Sequence, residues 1–183
     1  PAKEDFDCTD LPMNFLFLRN PKEENYSLVN RPGFLEMTLD TDTLSSKGTP
    51  SYVCRRQLAF DFMAETLMSF EPKAENEQAG IAIYQSQSFN YQLLAGKEGD
   101  RSTLSLVKTY KDEVETISKT ILDKSYSEIY LRISETGQDL TFTYSFDGKV
   151  YRTLADHVDA RMLSTDVAGG FVGNTIGLYA TSN

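Results

Sequence analysis

The chain has 183 residues, 40% of them apolar and 25% charged, with a formal net charge of −9. That composition suits one globular domain with a sizeable core and excludes a disordered chain. The acidic balance argues against nucleic acid or an anionic membrane as partner, and no apolar run approaches the ~18 residues of a membrane helix.

The opening, Pro1-Ala2-Lys3-Glu4-Asp5, is polar and does not read as a secretory leader. Starting without Met, the chain reads as a piece of a longer protein, with 1–183 forming a single β-sandwich domain. Residues 13–18 form a first apolar strand, and Arg31-Pro32-Gly33 and Gly48-Thr49-Pro50 read as turns. Period-2 alternation then dominates. The longest run, 58–70, sets Leu58, Phe60, Phe62, Ala64, Thr66, Met68 and Phe70 against Asp61, Glu65 and Ser69. This predicts a long strand with one face on a core and one towards solvent. Further strands are expected over 79–85, 89–95, 103–110, 114–122, 128–134 and 140–146, where β-branched and aromatic residues dominate. Between them, Gly96-Lys97-Glu98-Gly99-Asp100, Glu135-Thr136-Gly137-Gln138 and the Asp147-Gly148 pair read as hairpin connections. Helix signals are poor; only 155–163 suggests a turn or two. Hairpin-linked strands at such spacing predict an all-β antiparallel sandwich of a dozen or so strands, in a jelly-roll arrangement.

Few residues suit catalysis. Asp61 and Glu65 share the polar face of the longest run, but four residues along a strand span about 13 Å. Retaining glycosidases need carboxyls about 5 Å apart and inverting ones about 6.5–9.5 Å. Both acids are therefore read as solvated. His157 is the single histidine, and no Gly-x-Ser-x-Gly elbow accompanies it. Cys8 and Cys54 are read as isolated thiols, with Cys54 in the core. Asp5, Asp7, Asp40 and Asp42 offer oxygen ligands for a structural calcium, although Asp40-Thr41-Asp42 lacks the rhythm of an EF-hand loop. Arg55 and Arg56 are adjacent in a strand and so point to opposite faces. At least one of them, like Arg19 beside the first strand, is expected to tie loops together or to meet an interface.

The segment 168–180 holds four glycines, Gly169, Gly170, Gly173 and Gly177, near one large aromatic, Phe171. Glycine permits positive φ and close backbone approach. Phe171 is then either a buried plug or a side chain presented outward on a tight loop.

An ordered set of segments carries a resemblance. They are Glu4-Asp5-Phe6-Asp7, Asn14-Phe15-Leu16-Phe17-Leu18-Arg19-Asn20-Pro21, Tyr26-Ser27-Leu28, Arg31-Pro32-Gly33-Phe34-Leu35, Val53-Cys54-Arg55-Arg56-Gln57 and Phe62-Met63-Ala64-Glu65-Thr66. Gln78-Ala79-Gly80-Ile81, Asn90-Tyr91, Ile129-Tyr130-Leu131-Arg132, Tyr144-Ser145-Phe146-Asp147-Gly148 and the stretch from Gly169 to Ala180 continue it. Together they resemble the C-terminal sandwich of family 43 glycoside hydrolases of the β-xylosidase and α-L-arabinofuranosidase type. The resemblance implies a concanavalin A-like sandwich that follows a five-bladed propeller in the same chain. In that family the propeller carries the catalytic carboxylates and the sandwich none, so none is expected here. Xylo-oligosaccharides or arabinosides are then met indirectly, through the propeller. In several members a sandwich loop places a Phe at the rim of the propeller's pocket, and Phe171 matches it best. The family often reads Phe-Thr-Gly-Ala-Phe here, whereas this chain has Val172, Asn174 and Thr175. If the second aromatic is the pocket residue, Thr175 stands in its place. The family also runs on beyond Thr181-Ser182-Asn183 into a last strand, so an unpaired edge is expected. A periplasmic or extracellular setting is expected over a cytoplasmic one. The expected function is a non-catalytic accessory domain. The alternatives are an independent binding module for xylan or xylo-oligosaccharides, with aromatics along a groove, and a stand-alone hydrolase.

Overall fold

Alternation becomes a layer most plainly in β10 (Ile129–Thr136), where Ile129, Leu131 and Ile133 are fully buried and Tyr130, Arg132 and Ser134 are half-exposed. A computed structural model describes residues 2–170 and 172–183. β10 pairs antiparallel with β5 (Phe62–Met68) and β11 (Asp139–Ser145), and β12 (Arg152–Asp159) completes a four-stranded sheet in the order β12-β11-β10-β5. The larger sheet has seven strands: β1 (Leu16–Phe17), β4 (Ser51–Arg56), β6 (Gln78–Ser86), β7 (Phe89–Glu98), β8 (Arg101–Tyr110), β9 (Glu113–Ile121) and β13 (Thr175–Thr181). Their order is β1-β4-β13-β6-β7-β8-β9. A small ribbon pairs β2 (Tyr26–Ser27) with β3 (Glu36–Met37). The predicted antiparallel sandwich is thus the observed architecture.

Ile81, Ile83, Tyr91, Leu93, Leu104 and Leu106 of the larger sheet form one core with Ile129, Leu131, Ile133, Leu140 and Phe142 of the smaller. Apolar area removed from water between the sheets drives their association. The larger sheet is buried on its other face as well. There Tyr52, Cys54, Ala82, Tyr84, Leu94 and Tyr179 cluster with Leu44, which is fully buried. Leu44 belongs to the loop between β3 and β4, and its N–H donates to the Tyr179 hydroxyl at 3.4 Å. The neighbouring Ser45 hydroxyl lies 2.6 Å from that of Thr109. Burial on both faces explains why β6 and β7 are buried almost continuously.

Tight packing leaves two strand positions without room for a side chain. A Cβ on Gly80 would lie 1.9 Å from the Leu93 carbonyl oxygen, and one on Gly177 would lie 2.5 Å from both the Cys54 Cβ and the Val53 oxygen.

Two expectations are corrected. The run 58–70 is a strand only over Phe62–Met68. Residues 57–61 carry the chain from the larger sheet to the smaller, so Leu58 and Phe60 leave the core and are exposed. The stretch 155–163 is not a helical turn from its start. It ends β12, then forms a 3-10 turn (Ala160–Leu163) that leads into the short helix α1 (Thr165–Ala168). β13 lies between β4 and β6 and is paired on both sides, while β5 and β12 are the edges of the smaller sheet. The open edge of the larger sheet on the far side is β9, which carries a bulge. Leu106 pairs with Ser118 and Val107 with Thr116, which leaves Ile117 as the extra residue.

Candidate functional site

The acids of β5 and its approach are already engaged. Asp61 lies before the strand and accepts from the Gly137 N–H at 2.8 Å, closing the β10–β11 turn. Glu65 accepts from the Arg132 Nε at 2.9 Å and Nη2 at 2.8 Å, and from the Tyr151 hydroxyl. Arg132 lies over the Tyr151 ring, 3.6 Å from its centroid. Nearby Glu135 is buried and accepts from the Gln57 Nε2 at 3.0 Å; burial pushes its carboxyl up, the Gln57 bond opposes this, and Asp61 adds to the rise. His157 lies 3.2 Å from Asp139 on an exposed surface, and no hydrogen bond among the described residues joins it to a serine.

Asp40 and Asp42 converge, but on an ammonium. Lys22 Nζ lies 2.9 and 2.8 Å from the two Asp40 oxygens and 3.2 Å from Asp42 Oδ2. Asn25 Nδ2 donates to Asp40 at 2.8 Å, and the Asp42 N–H at 2.9 Å. Burial raises the Asp40 carboxyl, but the Asp42 N–H, Lys22 and Asn25 together hold it below the usual carboxylate range. Asp5 pairs with Lys3 at 2.6 Å, and an Asp7 oxygen lies 3.4 Å from where a Gly33 Cβ would stand. Among the described residues no group of three or more His, Cys, Asp or Glu side chains is placed to hold a metal ion. Asp40→Asn is expected to destabilise the fold by about 2 kcal/mol near pH 7. A depressed carboxyl contributes stability above its ordinary value of 3.8 and loses it as pH falls through the folded-state value. The gap between the two proteins should therefore close below pH 4, read from denaturant unfolding across pH 3–7. A gap that stays constant would remove the Asp40 charge from the account.

The three arginines have different surroundings. Arg19 adopts φ +64° and donates to the Gly48 and Ser46 carbonyls and, at 3.1 Å, to Gln87, joining three separate loops. Arg55 lies over the Phe15 ring, 4.1 Å from its centroid, and 3.7 Å from Glu4. It holds the incoming segment against β4. Arg56 points the other way and is exposed at the end of β4.

Beside Arg56 the glycine-rich segment returns to the sheet. Phe171 lies outside the described residues. Both of its flanks are anchored. Gly169 and Gly170 adopt φ +74° and +71°, which only glycine takes readily, and Gln85 Nε2 donates to the Gly169 carbonyl at 3.0 Å. On the other side Asn174 exchanges hydrogen bonds with Gln57 at 2.9 and 3.0 Å. Thr175 sits in β13, with its hydroxyl 3.1 Å from that of Tyr52. A cavity of about 180 Å³ opens here between Leu16, Leu18, Tyr84, Gln85, Arg56 and Val172. Val172 of its lining is exposed, and so are Leu58 and Phe60 in the crossover that follows β4. Sequence reasoning had placed Leu58 and Phe60 in the core. Gln57-Leu58-Ala59 carries no turn residue, so nothing in the sequence marks the point where the chain leaves one sheet for the other.

Residues 3–183 match the family described as the β-xylosidase C-terminal concanavalin A-like domain. A non-reducing-end α-L-arabinofuranosidase of Bacteroides ovatus is 32% identical over 184 residues, a match covering 100% of this chain and 34% of that protein. A xylosidase/arabinosidase of Butyrivibrio fibrisolvens is 31% identical over 181 residues, with 99% and 34% covered. Among solved structures, the Bacteroides ovatus protein "Xyloglucan PUL GH43B" superposes with a TM-score of 0.91 at 32% identity, covering 98% of this chain and 35% of that one. The chain therefore spans about a third of the length of the relatives it matches.

Proposed function

The chain belongs to the family of β-xylosidase C-terminal concanavalin A-like domains, and from that premise we propose that it is the accessory part of a larger glycosidase acting on xylosides or arabinosides. It packs on a catalytic propeller of the same enzyme and lends Phe171 to the rim of that unit's pocket. The observation that carries this reading is the match of the whole chain to a third of enzymes whose names state those activities. Its own chemistry agrees. Asp61 and Glu65 are committed to a turn N–H and to an arginine–tyrosine pair, so neither stands ready as a glycosidase acid or base. Part of the second face of the larger sheet is covered by Leu44 and its loop, which leaves beside it only a cavity of about 180 Å³ among the described residues.

Titration calorimetry of the 183-residue chain with xylohexaose and with arabino-oligosaccharides is expected to give no binding heat, and an assay with aryl xylosides and arabinosides no turnover. A saturable heat would favour the independent binding module, and turnover by the isolated chain would favour a hydrolase.

A further inference from the structure

We infer, resting on the accessory-domain reading above, that Gln85 and Gln57 are positioning residues: each clamps one flank of the segment that carries Phe171, and through that segment they act on turnover by the whole enzyme. Gln85 carries the argument. In the β6–β7 pairing Tyr84 lies opposite Asn90 and Ser86 opposite Phe89, so Gln85 is the extra residue of a bulge. A bulge breaks the ladder locally and re-aims a side chain. Here it directs an amide to the Gly169 carbonyl, which accepts from Gln85 Nε2 at 3.0 Å.

That bond does little for stability. Gln85 is 6% exposed, and among the described residues no donor reaches its buried Oε1. A buried amide oxygen without a partner costs at least as much as one ordinary hydrogen bond returns. The carbonyl that Gln85 holds belongs to an exposed glycine, which water serves equally well. Leu16, Leu18, Tyr84 and Val172 line the same cavity, so an apolar side chain at this position would be at least as stable. What the amide supplies, and an apolar group does not, is a fixed place for Gly169, two residues before Phe171.

Gln57 holds the other flank by different means. Its N–H donates to the Asn174 carbonyl, and its Oε1 accepts from Asn174 Nδ2, three residues beyond Phe171. Its Nε2 is divided between the Ala59 carbonyl at 2.9 Å and the buried Glu135 carboxyl at 3.0 Å. With both polar atoms of its side chain bonded, the amide is fixed one way round. Gln57 follows β4 and Gln85 belongs to β6, the two strands that flank β13. Both clamps are therefore set in the sheet and not in the loop they hold. Small displacements of a group that lines a reacting pocket lower turnover steeply.

Steady-state kinetics and thermal melting of the whole enzyme test this. Gln85→Met should lower kcat/KM for short xylosides or arabinosides about fivefold while the melting temperature stays level or rises. In a Phe171→Ala background the same change should lower kcat/KM less than about twofold, since its route to the pocket is gone. Gln57→Met should depend on Phe171 in the same way but lower the melting temperature, because Asn174 and Glu135 lose their partner. Gln85→Leu repeats the measurement with a second apolar shape. Unchanged kcat/KM in both Gln85 variants would overturn the inference, and so would a loss of equal size with and without Phe171. If Phe171→Ala slows turnover and the Gln85 variants do not, the accessory reading stands and only the clamps fall. If Phe171→Ala is itself silent, the rim role of Phe171 falls and the clamps with it.

Discussion

Phe171→Ala in the whole enzyme is expected to lower kcat/KM for short xylosides or arabinosides about tenfold or more, a loss near 1.4 kcal/mol, while the melting temperature holds. An aromatic wall offers a flat apolar face to a sugar ring and excludes water from one side of a pocket. A flexible loop could not hold it there. The flanking residues are tied down, with the Gly169 carbonyl held by Gln85 on one side and Asn174 by Gln57 on the other. Phe171→Tyr should keep most of the activity, because the ring remains. Thr175→Ala separates the two aromatic positions that the family pattern leaves open. Its hydroxyl lies beside the Tyr52 hydroxyl, so its loss should lower stability and leave kcat/KM nearly unchanged. Steady-state kinetics with calorimetric melting of each variant decides the matter, and wild-type kinetics for Phe171→Ala would remove that residue from the pocket.

Gly80→Ala should be the most damaging conservative change in the sandwich. The added carbon would sit 1.9 Å from the Leu93 carbonyl oxygen, and the obstacle is backbone in the adjoining central strand. A side chain could rotate away; a strand paired on both sides cannot move without breaking its ladder. The expected cost is about 3 kcal/mol or more. For a chain of this size that lowers the melting temperature by roughly 10 °C. Gly96→Ala, one strand over, is the control. Its nearest neighbour would be the flexible Gln78 side chain at 3.4 Å, an ordinary contact, and the change should stay within about 1 kcal/mol. Similar melting for the two variants would show that the β6–β7 spacing relaxes far more easily than native packing density suggests.

Period-2 patterns located β6 to β11 to within a few residues, because one face of each strand must be apolar wherever the sheets meet. The same rule misled at Leu58 and Phe60. Alternation ran on without a break through a crossover, and a pattern of residue types does not record which layer the chain is in. β12 hid for the opposite reason. Its pairing with β11 shifts register twice, and His157 adopts φ +50°, so its apolar residues lose their rhythm. The filling of the second face by Leu44 was not legible at all, since a loop residue meets Tyr179 only after the whole sandwich has closed. Nor was the bonding of Glu65, whose partners come from β10 and the loop before β12. Spacing did show that Asp61 and Glu65 cannot work as a catalytic pair; their actual employment needed three dimensions.

The extra residue in β9 has a consequence for how this protein behaves in a crowded solution. A foreign strand drawn to that rim finds donors and acceptors in step with its own along Glu113–Thr116 or along Ser118–Ile121, but the two stretches are out of phase across Ile117. A single regular ribbon does not match both stretches, so the bulge disfavours strand addition at this edge. Three exposed apolar side chains on that strand, Val114, Ile117 and Ile121, are thereby tolerated on an edge that would otherwise invite aggregation.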